Sequence, residues 1–369
     1  MDKTLSENNF LGKIDVQQAF SDIPLEIPDI FCSIVIVNHN GRHLLNDCLT
    51  SVLSQEHGSF EVILVDNGST DDSVSYVTKH FPAIRTIASQ TNLGYAGGSN
   101  LGVKAASGSL IGLLNNDTVV QPGWLRALAT AVSPEDVAVA GSLVLTKGIP
   151  KKYYEKNGSL NFVGHNIMRV FEKPENIFYA GGASLIFKKS VLGIPFDADY
   201  FAYGEDVYLG LRARFMGYRV VHVNDSRVLH VGGATTSKLL NTKMRMLQER
   251  NRLLNMFLFF SVSTLLRLVP LFVMNFMTKM VVATVSPSYS LLAVLWAHLW
   301  IVLHILPIAR KRKALRRQFA VDEQDIISWM TARVANGETT LGMIANALST
   351  RYCRLVGLKT IESMPAGAR

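Results

Sequence analysis

Short apolar runs alternate with amphipathic stretches along the first part of the chain. Cys32–Val37 and Glu61–Val65 are β-branched runs with the length expected of buried parallel strands. Two similar runs follow, and the stretches between the runs carry apolar residues at helical spacing. The predicted strands are 32–37, 61–65, 84–88 and 110–114, and the predicted helices are 42–55, 73–80 and a segment that ends near residue 106. Strands that alternate with helices indicate β-α-β crossovers and a parallel sheet.

Polar clusters follow three of these four strands. Asn38–Gly41 comes after the first strand, Asp66–Asp72 after the second and Asn115–Asp117 after the fourth. The carboxyl ends of parallel strands meet at one edge of a sheet, which is where open α/β folds bind their ligands. The pattern therefore favours a binding site at this edge over three unrelated solvated turns.

Between residues 120 and 240, predicted strands and helices no longer alternate regularly. The pattern predicts strands at 137–145, 183–187, 219–223 and 227–231, and a helix at 205–216. No internal repeat or low-complexity tract interrupts this part of the chain. We therefore expect one α/β domain that extends to about residue 240.

The character of the chain changes after residue 250. Residues 253–285 are strongly apolar, but Arg267 and Lys279 lie within them and Pro270 interrupts them. Charged side chains are costly at the centre of a bilayer. This stretch alone is therefore compatible with either a membrane span or a helix that lies at the membrane interface.

A second apolar stretch, residues 291–309, contains no formal charge. Nineteen helical residues would extend about 28 Å, close to the thickness of one hydrocarbon core. The basic cluster Arg310–Arg317 follows at once and is typical of the cytoplasmic side of a membrane. Three arrangements stay open: a re-entering hairpin that turns at 286–290, a pair of interfacial amphipathic helices, and a buried helix pair of a soluble protein.

The charge distribution supports this division of the chain. The formal net charge is +8, but residues 1–240 carry −3 and residues 241–369 carry +11. A general nucleic-acid-binding protein would be expected to carry its basic residues across the folded domain. We therefore expect a membrane surface as a partner, and no nucleic acid.

The cysteines and the first residues indicate a cytoplasmic protein. Cys32, Cys48 and Cys353 are too few and too scattered for a disulfide framework or a zinc site. Residues 1–30 are polar and contain no apolar stretch long enough for a signal-peptide core. We expect a polar leader over 1–30, followed by a domain that stays in the cytoplasm.

The strand-end clusters suggest a nucleotide site of an unusual kind. Asp66 can accept hydrogen bonds from a base or a ribose, and the Gly-rich segment Asn92–Asn100 allows a close backbone approach. The spacing G-x-G-x-x-G is absent, and so is a G-x-x-x-x-G-K-[ST] loop. Hydride transfer and ATP hydrolysis therefore lose support.

Further along, three features could supply the chemistry. Asp117, in the Asn115–Asp117 cluster, places a hard oxygen donor where a divalent cation can bridge a diphosphate. Glu205 and Asp206 begin a predicted helix, where a carboxylate could act as general base or simply complement the helix dipole. His230 is either a core histidine or a metal ligand, and the second role requires Asp117 to be near it in space.

Taken together, these motifs resemble those of family-2 glycosyltransferases of the GT-A fold, in particular the rhamnosyltransferase-like branch. The resemblance extends over residues 31–235. The motifs that carry it occur in the family's order: Ser33–Asn40, Val65–Asp71, Asn92–Asn100, Leu114–Thr118, Gly182–Leu185, Gly204–Asp206 and Gly217–His230. The resemblance implies an α/β fold with a Rossmann-like mixed sheet, here followed by C-terminal apolar helices.

The resemblance also implies roles for individual residues in holding a nucleoside-diphosphate sugar. His39, Asn40 and Asp66 would hold the base and ribose. The donor pocket would be lined by Asn92, Gly94, Asn100, Asn115 and Asn116.

For the chemistry, Asp117 occupies the last position of the family's metal-binding D-x-D, and His230 resembles its second metal ligand. Asp206 resembles the catalytic base, with Glu205 beside it at the acceptor site. Asn115 replaces the first Asp of D-x-D, so a weaker Mg²⁺ or Mn²⁺ site is expected.

The resulting hypothesis is an inverting glycosyltransferase at the cytoplasmic face of the cell membrane. It would move a sugar, from dTDP-rhamnose or a UDP-hexose, to a hydroxyl of a lipid-linked glycan in surface polysaccharide synthesis. A sugar-nucleotide nucleotidyltransferase is an alternative, disfavoured because Asn38–Arg42 has a single basic residue. A non-catalytic membrane scaffold with a degenerate domain is another, and Asn115 is its support. The expected domains are 31–240 for transfer, 241–319 for membrane association and 320–369 as a tail.

Overall fold

The computed structural model describes residues 30–56, 58–146, 156–170, 176–231, 242–285, 290–336 and 339–363. The predicted leader at 1–30 therefore lies outside the described residues apart from residue 30. Most of the predicted turn at 286–290 lies outside them as well. The proposed domain boundaries at residues 30, 240 and 319 stay predictions.

An eight-stranded mixed sheet forms the centre of the described structure. Its strands are β1 (Cys32–Asn38), β2 (Phe60–Asn67), β3 (Arg85–Ser89), β4 (Leu110–Asn115), β5 (Thr118–Val120), β6 (Val137–Thr146), β9 (Ser184–Lys188) and β10 (Arg219–His230), and a separate hairpin consists of β7 (Lys156–Leu160) and β8 (Asn166–Val170). The strand order is β3-β2-β1-β4-β9-β6-β10-β5. The first four strands in this order are parallel, as predicted, whereas β9 runs antiparallel to both of its neighbours.

Alternate residues of the sheet face two separate hydrophobic cores. The helices are α1 (Arg42–Leu53), α2 (Ser73–His80), α3 (Gly94–Ala105), α4 (Trp124–Ala131), α5 (Lys189–Leu192), α6 (Glu205–Phe215), α7 (Thr242–Phe259), α8 (Val262–Val285), α9 (Leu291–Leu303), α10 (Ile305–Arg316), α11 (Glu323–Ser328) and α12 (Thr340–Leu355). Ile34 and Ile36 of β1 face the core that α1, α2 and α4 cover. Val35, between them, faces the core that contains residues of α3, α6 and α7. This period of two on a sheet covered on both sides is the predicted α/β arrangement.

Glycines in and just after the Gly-rich segment let a helix pack closely against the sheet. α3 begins at Gly94, within the segment that was expected to approach a ligand. A Cβ atom at Gly98 would lie 2.8 Å from Val37 Cγ1, and one at Gly102 would lie 2.3 Å from Val35 Cγ1. Glycine is unfavourable inside a helix, but here it lets α3 pack closely against β1.

The strands predicted at 219–223 and 227–231 form one strand, β10, and not two. Its pairing with β6 shifts register between Val223 and Arg227, which places a bulge at the expected gap. A bulge bends a strand and increases its twist without ending it. β10 consequently continues to His230 at the far end of the sheet.

The apolar stretch 291–309 is likewise not one straight helix. It divides at His304 into α9 and α10, whose axes differ by 69°. Among the described residues, one helix, Val262–Thr284, is long and apolar enough to cross a membrane.

The C-terminal residues pack onto the same core as the sheet. Ile326, Ile327 and Met330 are buried together with Cys353 and Leu358, in the cluster that also contains Phe215 of α6. The segment that the sequence presents as a tail therefore contributes to the core of the described structure.

Candidate active site

The three polar clusters meet at one edge of the sheet. In the strand register, Asn38 lies opposite Asp66. Asn38 Nδ2 donates to Asp66 Oδ2 at 3.3 Å, and Asn38 Oδ1 accepts from Asn116 Nδ2 at 2.8 Å. The ends of β1, β2 and β4 are thus joined by one hydrogen-bonded network. We call its members Asn38, Asp66, Ser69 and Asn116 the strand edge.

Asp66 organises the turn that follows β2. Its Oδ1 accepts from the backbone N–H of Ser69 at 3.0 Å, and only 2% of the residue is exposed. Ser69 Oγ in turn accepts from the backbone N–H of Asn40 at 2.9 Å. His39 Nδ1 lies 3.1 Å from the carbonyl oxygen of Asn67. Three predicted nucleotide-binding residues, His39, Asn40 and Asp66, therefore lie together, with His39 and Asn40 nearer the solvent.

The two predicted asparagines of the next segment differ in their surroundings. Asn92 is exposed, and its Oδ1 accepts from the N–H of Gly94 at 2.8 Å and from Asn67 Nδ2 at 3.1 Å. Asn100 is buried and bonds the backbone of Phe196 twice, through Nδ2 at 2.8 Å and Oδ1 at 3.2 Å. Asn92 therefore lies beside the strand edge, whereas the Asn100 amide is engaged in holding the chain near Phe196.

Asp117 and His230, 113 positions apart in the sequence, are in direct contact. β5 pairs antiparallel with β10 and sets Thr118 opposite His230, while the N–H of Val231 donates to the carbonyl oxygen of Asp117 at 3.0 Å. His230 Nε2 consequently lies 3.2 Å from Asp117 Oδ1, with the side chains 20% and 8% exposed. The spatial condition that a metal-ligating His230 requires is therefore met.

The donor atoms of this pair fit a divalent cation. A carboxylate oxygen and an imidazole nitrogen suit Mn²⁺, and the oxygen also suits Mg²⁺. Across the described parts of the chain, no group of three or more His, Cys, Asp and Glu side chains could hold a metal. The pair would therefore need a ligand's phosphate oxygens and water to complete a coordination shell. Asn115, at the start of the motif, is half-buried, and its backbone N–H donates to the carbonyl oxygen of Ala183 at 3.0 Å.

Glu205 and Asp206 begin α6 in different environments. Glu205 is 7% exposed and its Oε2 has no hydrogen-bond partner within the described structure. Burial, with the Asp206 charge next to it, raises the pKa of Glu205 to about 8. Asp206 is more accessible and accepts from the N–H groups of Val207 at 2.8 Å and Gly182 at 3.3 Å. Burial raises the pKa of Asp206 too, while these two hydrogen bonds lower it.

The two environments favour different protonation states. N–H donors from Gly182 and Val207 favour the charged form of Asp206, whereas burial favours the neutral form of Glu205 and raises its pKa to about 8. A partly accessible carboxylate beside a neutral carboxyl group can accept a proton from a bound hydroxyl.

The backbone before this pair is strained. Phe201 has φ = 58° and Tyr203 has φ = 71°, in the left-handed region that bulky residues rarely adopt. The carbonyl oxygen of Phe201 accepts from the N–H of Ala96 at 3.0 Å. That oxygen would lie 2.3 Å from a Cβ atom at Gly94, whose φ is +72°, so only glycine fits there. We call residues 199–206 the carboxylate loop, and Gly94 is where α3 meets it.

Helix α7 holds the carboxylate loop from the other side. Asn251 is fully buried, and its Nδ2 lies near three carbonyl oxygens of the loop: those of Tyr200 at 2.9 Å, Ala202 at 2.9 Å and Tyr203 at 2.6 Å. Asn255 Nδ2 donates to the carbonyl oxygen of Gly204 at 3.0 Å, and Arg250 donates to that of Asp199 at 2.5 Å. The strained conformation therefore depends on side chains about fifty residues further along the chain.

These supporting residues were not predicted. Asn251 and Asn255 are amides four residues apart on one face of α7, at the beginning of the part of the chain that was described by its apolar character. Lys311, assigned from the sequence to a membrane-facing basic cluster, instead donates to Asp197 at 2.7 Å and to Asp199 at 2.6 Å. One feature of the sequence could have indicated them: polar side chains within an apolar helix need hydrogen-bond partners when they are buried. The sequence does not say which residues those partners are.

Comparisons with known proteins identify the family that the chain resembles. Residues 33–193 match the model of the family Glycosyl transferase family 2. The O-antigen biosynthesis protein RfbC of Myxococcus xanthus is 31% identical over 217 residues, which cover 54% of this chain and 17% of that protein. An uncharacterized glycosyltransferase of Nostoc sp. is 33% identical over 108 residues, 28% of this chain and 34% of that protein. The predicted resemblance to family-2 glycosyltransferases is confirmed, and the matches span at most about a third of these two relatives.

Solved structures confirm the fold. A crystal structure of GalNAc-T7 with UDP, GalNAc and Mn²⁺ superposes with a TM-score of 0.53 at 16% identity and covers 62% of this chain and 48% of its own. Staphylococcus aureus TarS 1–349 in complex with UDP superposes with a TM-score of 0.50 at 14% identity, covering 89% and 90%. The described chain therefore has the predicted GT-A α/β fold.

Proposed function

We propose that this chain is an inverting glycosyltransferase that moves a sugar from a nucleoside-diphosphate sugar to a hydroxyl of a glycan. The observation that carries the proposal is the contact between Asp117 and His230. The motif order suggested both as metal ligands, and the β5–β10 pairing brings them within 3.2 Å of each other. A pair of this kind next to a hydrogen-bonded strand edge is suited to a nucleotide diphosphate.

In the proposed mechanism, the strand edge binds the nucleoside and the Asp117–His230 pair holds the diphosphate end. His39 and Asn40 would contact the base or ribose, with Asp66 orienting their turn. A divalent cation, Mg²⁺ or Mn²⁺, held by Asp117 and His230 would offset the negative charge that develops on the leaving nucleoside diphosphate.

Asp206 would act as the general base. The acceptor hydroxyl attacks the anomeric carbon from the face opposite the leaving group. The new C–O bond forms as the bond to the phosphate oxygen breaks, and Asp206 takes the hydroxyl proton. A protonated, neutral Glu205 would add no second negative charge near the oxygen of the attacking acceptor hydroxyl. It could also donate a hydrogen bond to the acceptor.

The donor and acceptor follow by similarity. RfbC is named for O-antigen biosynthesis, and the GalNAc-T7 and TarS structures contain UDP. We therefore propose dTDP-rhamnose or a UDP-hexose as donor and a lipid-linked glycan of a surface polysaccharide as acceptor, at the cytoplasmic face of the membrane. The basic, apolar C-terminal part supports this location.

The test is a panel of sugar nucleotides incubated with the full chain and either Mn²⁺ or Mg²⁺. We expect cation-dependent release of a nucleoside diphosphate from one donor class, by slow hydrolysis even without acceptor. Pyrophosphate release from a nucleoside triphosphate and a sugar phosphate would instead identify a nucleotidyltransferase. Absence of both binding and turnover with every donor would identify a non-catalytic scaffold and overturn the proposal.

A further inference from the structure

Two neighbouring C-terminal helices present unpartnered apolar surfaces in the described structure. On α8, Leu266, Val273 and Met277 are 65%, 55% and 56% exposed. On α9, Leu292, Leu299 and Val302 are 67%, 55% and 67% exposed. The helices touch through Phe276 and His298, whose ring centroids are 4.8 Å apart. We call these six residues the apolar face, and its size exceeds what isolated surface residues explain.

The opposite side of α8 is attached to the transferase domain by polar contacts. Lys279 is 5% exposed and forms an ion pair with Glu249 of α7, which also bonds Arg252 at 2.9 Å. Asn275 Nδ2 lies 3.3 Å from His165 Nε2, in the turn of the β7–β8 hairpin. Asn275 and Lys279 each follow a residue of the apolar face by two positions, which corresponds to about 200° around the helix. The outward side of α8 is therefore apolar, while its inward side combines the buried Leu268 and Leu271 with the polar contacts of Asn275 and Lys279.

This attachment is incompatible with α8 crossing a bilayer. A spanning α8 would place Lys279 and Asn275 in hydrocarbon, either without their partners or with the hairpin and α7 drawn into the membrane. Both arrangements bury charges that lipid cannot solvate. A helix that lies flat keeps these contacts and immerses only its outward side.

The charges of the C-terminal helices favour anionic lipid over a second copy of the chain as the partner of the apolar face. From residue 250 to residue 321 the chain contains no Asp or Glu. Arg310, Lys313 and Arg317, on and just beyond α10, the helix that follows α9, are exposed. Two copies of the chain that met through this face would bring like charges together, whereas anionic lipid headgroups would neutralise them.

We propose that the apolar face docks the chain on an anionic bilayer as an interfacial, monotopic element, with α8 and α9 in the plane of the headgroups. The inference rests on the part of the proposed function that locates the chain at a membrane, and it makes no use of the catalytic assignments.

The first test measures flotation of the full chain with phosphatidylcholine vesicles that contain or lack phosphatidylglycerol. We expect binding to the anionic vesicles, and a partition coefficient at least about tenfold lower for the double variant Val273→Glu, Met277→Glu, because two carboxylates would have to be desolvated. Leu53→Glu, at an apolar position of α1 that is 40% exposed, is the matched control and should bind as the parent does. Equal binding by the double variant, or no binding by the parent, would overturn the proposal.

The second test separates a flat helix from a spanning one. The three native cysteines are buried, so single cysteines introduced at Val262, Val273 and Val281 can be labelled selectively with a depth-sensitive fluorophore. A flat α8 predicts the same shallow depth at all three positions, and a maximum depth at Val273 would contradict it. Conversion of a dimer to a monomer by the double variant, without any effect on lipid binding, would identify a second copy as the partner.

Sugar-nucleotide hydrolysis in solution is measured alongside. The double variant should hydrolyse the donor at the parent rate, since no residue of the apolar face is assigned to donor binding or to the chemistry. Loss of docking with intact hydrolysis, and loss of hydrolysis with intact docking, then report separately on the two proposals.

Discussion

The strand edge and the carboxylate loop lie in one domain and are built in opposite ways. At the strand edge, polar groups from adjacent strands satisfy one another, as when Asn38 bonds both Asp66 and Asn116. In the carboxylate loop, two non-glycine residues have positive φ, and Glu205 is buried with an unpartnered oxygen. The loop keeps this conformation because α7 supplies the missing hydrogen bonds. The first region is held by its own hydrogen bonds, whereas the second combines a strained backbone with two acids of raised pKa, a combination that is common in active sites.

The largest expected effect comes from removing the base while leaving the strand edge intact. Asp206→Asn keeps one oxygen, which can accept from the N–H of Val207 or of Gly182 but cannot take a proton. Turnover should fall by about 10² to 10⁴-fold, the range for loss of a general base. Steady-state release of nucleoside diphosphate measures it, with the exposed Asp225→Asn as control. Undiminished turnover would remove Asp206 from the mechanism.

Asp117→Ala tests the proposed role of the Asp117–His230 pair in binding the sugar-nucleotide donor. Without this carboxylate, His230 alone would hold the cation poorly, so Mn²⁺-dependent donor affinity should fall by about 100-fold. Titration of a nucleoside diphosphate with and without Mn²⁺ measures the change. Mn²⁺ stimulation that is as large in the variant as in the parent would contradict the metal assignment.

Asn251→Ala should loosen the carboxylate loop and leave the strand edge in place. Loss of the amide leaves loop carbonyls unsatisfied, which costs about 1–3 kcal/mol of folding stability. We expect kcat to fall by about tenfold, with donor affinity little changed, because small misplacement of a catalytic group is costly. Asn251→Asp is the matched control variant. Its side chain has the shape of asparagine, but an ionised carboxylate cannot donate a hydrogen bond to the loop carbonyls. Retention of parental kcat by Asn251→Asp would show that packing, and not hydrogen bonding, is what Asn251 provides.

The smallest effect concerns the pH dependence of stability. The pKa of Glu205 is raised to about 8 in the folded chain, so the unfolded chain loses this proton first as pH rises. The stability that protonated Glu205 contributes is complete below the ordinary glutamate pKa and is lost as pH rises through about 8. Glu205→Gln, which mimics the protonated form, should match the parent in Tm at acidic pH and exceed it increasingly towards pH 8. A constant difference in Tm across this range would show that Glu205 is ionised in the folded chain.

The two regions also differ in how far the sequence predicts them. Asn38, Asp66 and Asp117 follow buried strands directly, so strand pairing alone brings them to one edge of the sheet. Their hydrogen-bond partners lie on adjacent strands, within the pattern that identified the strands. The site prediction therefore needed only the correct order of strands.

The support of the carboxylate loop could not be predicted in this way. Asn251 reaches the loop only after α7 has packed against α6, and no local periodicity reports that contact. The packing role of the α3 glycines could not be predicted for the same reason, because it depends on Val35 and Val37 across the helix–sheet interface. Long-range packing, which decides both, is absent from a local pattern.

The most direct test of the account measures donor binding, and not turnover, in Asp206→Asn. The central claim is that the strand edge with the Asp117–His230 pair binds the donor, while the carboxylate loop acts only on the acceptor. Titration of a nucleoside diphosphate with Mn²⁺ should give Asp206→Asn an affinity within about twofold of the parent, as expected for a group used mainly in the transition state. A loss of affinity as large as that of Asp117→Ala would contradict the account, because it would make Asp206 part of the donor site.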